Sequence, residues 1–374
     1  MDSLQNLKLS ELEETRKILK ALIQVASVDK ILNTYIKAFK ERSILKTDGN
    51  YYLHGLFSLG TVKSGRLSSK SPNLTALPSG SQYGKLIKSC FGGHSGEVML
   101  GADFNSLESV VNALITKDPN KQRPLIQGID SHGFNAYYYY PEELGHIPDT
   151  VEGLNSIKKL FPKIRSNSKP ISFSQQYGGS WRTLMKNCGL SEKQAKAIEA
   201  NYQKLYKVSV DWTADHLKQA AIDGYVTGAF GLRLRTPLQG HKGKVGEGEV
   251  SSEARTAGNT LGGQSYSMLT NRAAIEFMLR VYDSKYKLLI KPVILIHDAI
   301  YITAPNTVEA IKFANDNLIE CMQWCDLPEL QHDDIKLGAE LDIFYPSWAD
   351  ATTLSNNESV PVIREIRREL CQKD

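Results

Sequence analysis

The chain has 374 residues, 41% hydrophobic and 23% charged, with 45 basic against 41 acidic side chains and a net charge of +4. That length suits one large domain or a few subdomains, and the mildly basic balance permits a nucleic-acid partner without requiring one. No apolar run approaches the ~18 residues of a membrane span, the start lacks a charged-then-apolar leader, and Cys90, Cys188, Cys321, Cys325 and Cys371 form no zinc-like set. The expectation is a cytoplasmic protein in a reducing compartment, with no membrane partner.

Residues 11–42 read as helix, because Leu12, Ile18, Leu19, Leu22, Val25, Leu32, Tyr35, Ile36 and Phe39 recur at helical spacing. That stripe needs a covering surface, in this chain or another. Residues 60–96 are rich in Gly, Ser, Pro and Lys/Arg with no acidic residue before Glu97, which predicts an extended basic loop, either solvated or tracking phosphates. "EVMLGADF" (97–104) predicts a short buried strand, and 106–115 a helix. Residues 150–225 predict helices punctuated at Pro162 and Pro170. "GYVTGAFGLRLRTP" (224–237) predicts a hairpin, "GHKGKVGEGEV" (240–250) a polar loop, and 251–283 one long helix. "KPVILIHDAIYITAP" (291–305) predicts two strands meeting at His297-Asp298, and 307–325 another helix. After Ala351 the composition predicts a polar tail ending in a short helix. Strands alternating with helices, joined by hairpins, predict an α+β fold around a mostly antiparallel sheet.

Two acidic residues stand at strand ends. Asp103 closes "VMLGAD", and Asp298 sits at the tip of "VILIHDAIYI". Each is a turn cap by itself; brought together by a sheet, the two can share Mg²⁺. "RSNSKPISFSQQYGG" spaces Arg165, Lys169, Phe173 and Tyr177 by four, along one drifting helix face. Cations at its start and aromatics further on suit a triphosphate and a base, against the plainer reading of an amphipathic helix. Pro170 is awkward inside a helix, so Ser166, Asn167 or Ser168 is expected as N-cap, with Arg165 just ahead of the regular helix. Gln264, with Arg255 and Asn259 upstream, offers polar groups for a minor groove or for solvent.

Taken in order, these segments resemble the family A DNA polymerases, the group of bacterial DNA polymerase I and phage replicases. "SGRLSSKSPNLTALP", "ADFNSLE", the RxxxKxxxFxxxYG pattern from Arg165, "GYVTGAFGLRLRTP" and "IHDAIYI" carry the resemblance, which spans roughly Lys30 to Asp350. It implies a right-hand fold with an antiparallel-sheet palm, helical fingers and most of the thumb missing. The expected divisions are 1–48 thumb helices, 49–110 palm, 111–245 fingers, 246–350 palm and 351–374 tail. It implies template-directed transfer of deoxynucleoside monophosphates from dNTPs to a primer 3′-OH, as in a replicative enzyme, the phage replicases included, bound to primer-template DNA. Asp103 and Asp298, with the backbone carbonyl of Phe104, would hold two Mg²⁺ ions, with Mn²⁺ as the alternative. Arg165 and Lys169 would grip the triphosphate, and Lys169 would protonate the pyrophosphate. His132 in "GIDSHGFN" would lie beside the phosphates. Phe173 and Tyr177 would shape the nucleotide pocket, and Glu108 would exclude a ribose 2′-OH. Arg66 and His297 would lie at the primer terminus, and Arg255, Asn259 and Gln264 along the minor groove.

The chain departs from the family pattern at Ala299, where a second carboxylate is usual, at "TLGG" (260–263), which is one residue longer, and at Pro170. Only about 60 residues precede Arg66, so a second polypeptide supplying exonuclease and thumb is expected, with no proofreading by this chain alone. The competing expectations are a single-subunit RNA polymerase, which would lack a ribose-blocking Glu108, and a degenerate polymerase retained as a DNA-binding subunit.

Overall fold

The computed structural model describes residues 9–78, 82–237 and 252–372. At its centre is a five-stranded sheet in the order Ala351–Leu354, Ala339–Phe344, Glu97–Phe104, Ala299–Pro305, Lys291–Ile296, antiparallel throughout. The expected α+β architecture with an antiparallel sheet is what forms. The 97–104 strand is central, and Leu100 and Ala102 are wholly buried on one face. Against them pack the helices Leu107–Thr116, Met268–Tyr282 and Val308–Met322, through Val111, Phe277, Ala314 and Leu318. Thr307 caps the last of these by accepting from the Ala310 N–H.

The other sheet face is covered by a smaller group, Met99, Phe344 and Trp348, with Tyr301 beside them. Gly101 is required here. A Cβ at this position would lie 2.6 Å from the Tyr301 ring and 2.8 Å from that of Phe344.

A separate helical lobe holds its own core. Phe134, Leu154, Ile157, Ile171 and Leu184 are completely buried, contributed by the helices Ser131–Tyr139, Val151–Leu160, Pro162–Gln176 and Trp181–Cys188. Residues 150–225 are mainly helical as expected, and Tyr225–Thr227 pairs with Arg233–Arg235 in the predicted hairpin. The hairpin at His297-Asp298 also forms, with Ile296 opposite Ala299 across a two-residue turn.

Four local expectations fail. The helix expected to start near residue 168 runs from Pro162 to Gln176, so Arg165 lies within it and Pro170 is internal. Pro162 takes the first-turn position where a missing N–H costs nothing, and Ser166 and Pro170 both lie on the exposed side, where water can satisfy the carbonyl left without a donor. Residues 251–283 do not form one helix: Ser252–Leu261 ends at Gly262-Gly263, a 3₁₀ turn covers Gln264–Ser267, and a new helix starts at Met268. Gly263, at φ 118°, occupies backbone space that side chains avoid. The basic stretch 60–96 is not all loop. Ser68–Lys70 pairs with Leu56–Ser58, Leu74 is buried in a 3₁₀ turn at Leu74–Ala76, and Gln82–Lys88 is a helix that buries Ile87. The tail ends in the expected helix, Val360–Cys371, but it is not solvated: Ala351–Leu354 extends the sheet, and the helix buries Ile363 and Leu370 at helical spacing. The loop 240–250 lies outside the described residues.

Helix Leu9–Lys30 continues through a π-helical turn, Ile31–Ile36, into Lys37–Arg42. Among its described side chains, the stripe is buried at the end, where Tyr35 donates its hydroxyl to the Ala76 carbonyl. Ile18, Leu19, Leu22, Val25 and Leu32 are each more than half exposed. No helix among the described residues is long and apolar enough to cross a membrane.

Candidate active site

The sheet brings Asp103 and Asp298 together. Asp103 is directly opposite Ala299, so Asp298 lies one residue away at the adjoining hairpin tip. The Phe104 N–H reaches the Asp298 carbonyl at 3.4 Å and joins the two segments. His297 makes the turn at φ 55°, a conformation uncommon for a residue with a side chain. Ser106, which starts the helix carrying Glu108, is also left-handed, at φ 56°. Two such strained positions flank one cleft, as is common at functional sites.

Withdrawal from water and then the charge of Asp298 push the Asp103 carboxyl up to about 6, with Asp342 adding a smaller push. This strain fixes a pH dependence. An acid with its folded value raised above 3.8 contributes its stability below that pH and loses it as pH rises through about 6. Asp103 remains exposed at the strand end, so water screens much of this effect; Asp103→Asn is expected to raise the thermal midpoint of the metal-free chain by no more than about 1 °C near pH 7.5 and to leave it unchanged near pH 4. A lowered midpoint at both values would show that the carboxylate is not strained.

Oxygen donors with unmet negative charge suit a hard divalent cation. Asp103, Asp298 and the carbonyl-bearing Phe104 are such a set, and the raised Asp103 value is the observation that favours a cation there. No cluster of three or more His, Cys, Asp or Glu side chains with metal-binding geometry occurs among the described residues. Ala299, only 6% exposed, puts a methyl group opposite Asp103. Across the other edge of the same strand, Glu340 is directly opposite Asp103 and Asp342 opposite Gly101. Both were missed in the sequence, although the alternation in "AELDIF" places them on one face.

Glu108 is fixed from two sides. It accepts from Arg66 and from the Tyr177 hydroxyl, and burial pushes its carboxyl up despite the Arg66 cation. Arg66, Glu108, Phe173, His297 and Asp298 line one cleft. Phe173 and Tyr177 stack at 6.4 Å between centroids and 23° between planes, as their i,i+4 spacing predicts. Gln176, also missed, donates to the Gly262 carbonyl at 2.8 Å and so ties this helix to the 260–263 break.

Lys169 is exposed on the same helix. Arg165 is not free: Nε and Nη2 donate to the two carboxylate oxygens of Asp130, each at 2.6 Å. His132 stands in the first turn of the neighbouring helix, with Nδ1 buried and unpartnered. Burial and then the Arg165 charge push its imidazole below the usual range. Of the expected groove residues, Gln264 is half-buried in the 3₁₀ turn and Asn259 has a buried, unpartnered Oδ1 on the preceding helix. The Arg255 side chain lies outside the described residues.

Residues 2–349 match the family model described as DNA polymerase family A. Over 230 residues the chain is 30% identical to the thermostable DNA polymerase I of Thermus filiformis, covering 61% of this chain and 26% of that protein. It is 24% identical over 348 residues to DNA polymerase I of Bacillus subtilis, covering 92% of this chain and 36% of that one. The chain thus spans about a quarter to a third of the curated relatives it matches. Among solved structures, the polymerase domain of Pol1 from M. smegmatis, in complex with DNA primer-template and dNTP, superposes with a TM-score of 0.68 at 22% identity, covering 87% of this chain and 51% of that one.

Proposed function

Because the chain belongs to DNA polymerase family A, we propose that it carries out template-directed DNA synthesis, transferring a deoxynucleoside monophosphate from a dNTP to a primer 3′-OH and releasing pyrophosphate. The observation that carries this is one cleft lined by Asp298, Glu108, Arg66, His297 and Phe173, with Asp103 on the adjoining strand opposite Ala299. Four strands of the sheet form the palm, within 49–110 and 246–350, with Ala351–Leu354 added at its edge, and the helical lobe is the fingers, within 111–245. Primer-template DNA lies across the palm, with His297 near the primer terminus and Arg255, Asn259 and Gln264 toward the minor groove.

Arg165 and Lys169 bind the triphosphate, with His132 beside it, and Lys169 delivers a proton to the departing pyrophosphate. Phe173 and Tyr177 bound the base and sugar. Glu108, held by Tyr177 and Arg66, occupies the space a 2′-OH would need. Two Mg²⁺ ions, held by Asp103, Asp298 and the Phe104 carbonyl, supply charge neutralisation for the attacking and leaving oxygens when bound. The exposed apolar face of the Leu9–Lys30 helix supports a second polypeptide that covers it and supplies thumb and exonuclease.

The test is primer extension on a template with a 5′ overhang. The purified chain is expected to add the complementary dNTP and to refuse the matching ribonucleotide; equal use of both would sink the DNA assignment. Addition of a thumb-supplying chain in trans is expected to lengthen the products made per binding event, and equal processivity without it would remove the second chain.

A further inference from the structure

Arg165 and His132 are assigned to the triphosphate on different helices, and one residue joins them. Asp130 precedes Ser131–Tyr139 as its N-cap, and its Oδ2 accepts from the Gly133 N–H at 2.7 Å. Its own N–H donates to Asn155 Oδ1 at 2.7 Å, and Asn155 Nδ2 donates to the Gly128 carbonyl at 3.2 Å. The backbone at 130 is therefore pinned to a third helix, Val151–Leu160. From that fixed point the carboxylate takes Arg165 in a bidentate grip. A second bond runs parallel to it, from Ser168 Oγ to the His132 carbonyl at 2.7 Å.

We propose that Asp130 is the positioning residue of the triphosphate site, setting Arg165 and His132 in register before the nucleotide arrives. The inference rests on the function proposed above and deepens it. An arginine carries five N–H donors. Asp130 takes one each from Nε and Nη2, and the others remain available to phosphate oxygens. A free arginine side chain gives up rotamer freedom when it binds; one already clasped has less to lose. The opposing effect is repulsion between Asp130 and the phosphates. Three N–H donors already face its carboxylate, and it caps a helix N-terminus, so its charge is met locally and preorganisation prevails.

Asp130→Ser separates positioning from capping, because serine is a good N-cap but cannot hold a guanidinium in a fork. The probe is inorganic tripolyphosphate, whose binding to the purified chain is followed by calorimetry without any turnover. Asp130→Ser is expected to weaken binding about tenfold with the thermal midpoint close to that of the wild type. In an Arg165→Ala background the same change is expected to add almost nothing. In primer extension the loss is expected in KM for dNTP more than in kcat. Unchanged binding would reduce Asp130 to a helix cap and overturn the proposal. Tighter binding would make it a competitor for Arg165, and full additivity with Arg165→Ala would show that it acts elsewhere; either result overturns it as well. A wild-type chain that binds tripolyphosphate but extends no primer would refute the proposed function and leave the positioning role standing. A wild-type chain that binds none would refute the positioning role.

Discussion

Asp298→Asn is expected to lower primer extension by about three orders of magnitude, the ~4 kcal/mol scale of charge stabilisation around a transferring phosphoryl group. Its fold should survive. Asp298 sits in a two-residue turn, half-exposed, and its charge works against Asp103. The isosteric amide keeps the turn and removes that repulsion, so the thermal midpoint should hold or rise slightly. Single-turnover extension beside a melting curve checks both halves. Extension near the wild-type rate would exclude Asp298 from the chemistry, whatever the state of Asp103. It would also make Ala299 unremarkable, since the missing second carboxylate matters only if the hairpin tip holds the ions.

Glu108→Ala is expected to have the second largest effect, on selectivity rather than rate. The side chain is held by Tyr177 and Arg66 and is 17% exposed, so it cannot swing away from a 2′-OH without breaking both bonds. Shortening it to a methyl opens that space. The preference for deoxy- over ribonucleotides should fall on the order of 100-fold, the range one well-placed pocket contact provides. Competition between a dNTP and its ribo counterpart on one primer measures this. An unchanged ratio would remove Glu108 from sugar recognition.

The local sequence carried most of the elements that place these residues. The apolar run 98–102 and the apolar stretches on either side of His297-Asp298 gave the central strand and its neighbouring hairpin, since short apolar runs joined by a two-residue polar turn leave few alternatives. The four-residue spacing from Arg165 to Tyr177 gave the helix face. Where local rules misled, tertiary burial was the reason. Pro170 argued for a late helix start, yet the fold keeps the proline on the exposed side. The residues after Ala351 looked solvated until Leu354, Ile363 and Leu370 found the sheet edge and the 308–322 helix.

By itself, the sequence determined the family, the antiparallel core, and which carboxylates, cations and aromatics lie on which element. The core and the placement of residues on elements follow from periodicity, a local property of the chain; the family follows from the resemblance of its ordered motifs. Only the tertiary structure decided which side chains face one another. It set Glu340 opposite Asp103, gave Arg165 to Asp130, and closed Arg66 and Tyr177 onto Glu108. These partners lie 35 to 237 positions apart in the chain, and no local pattern encodes a pairing across that distance; strand register and helix packing do.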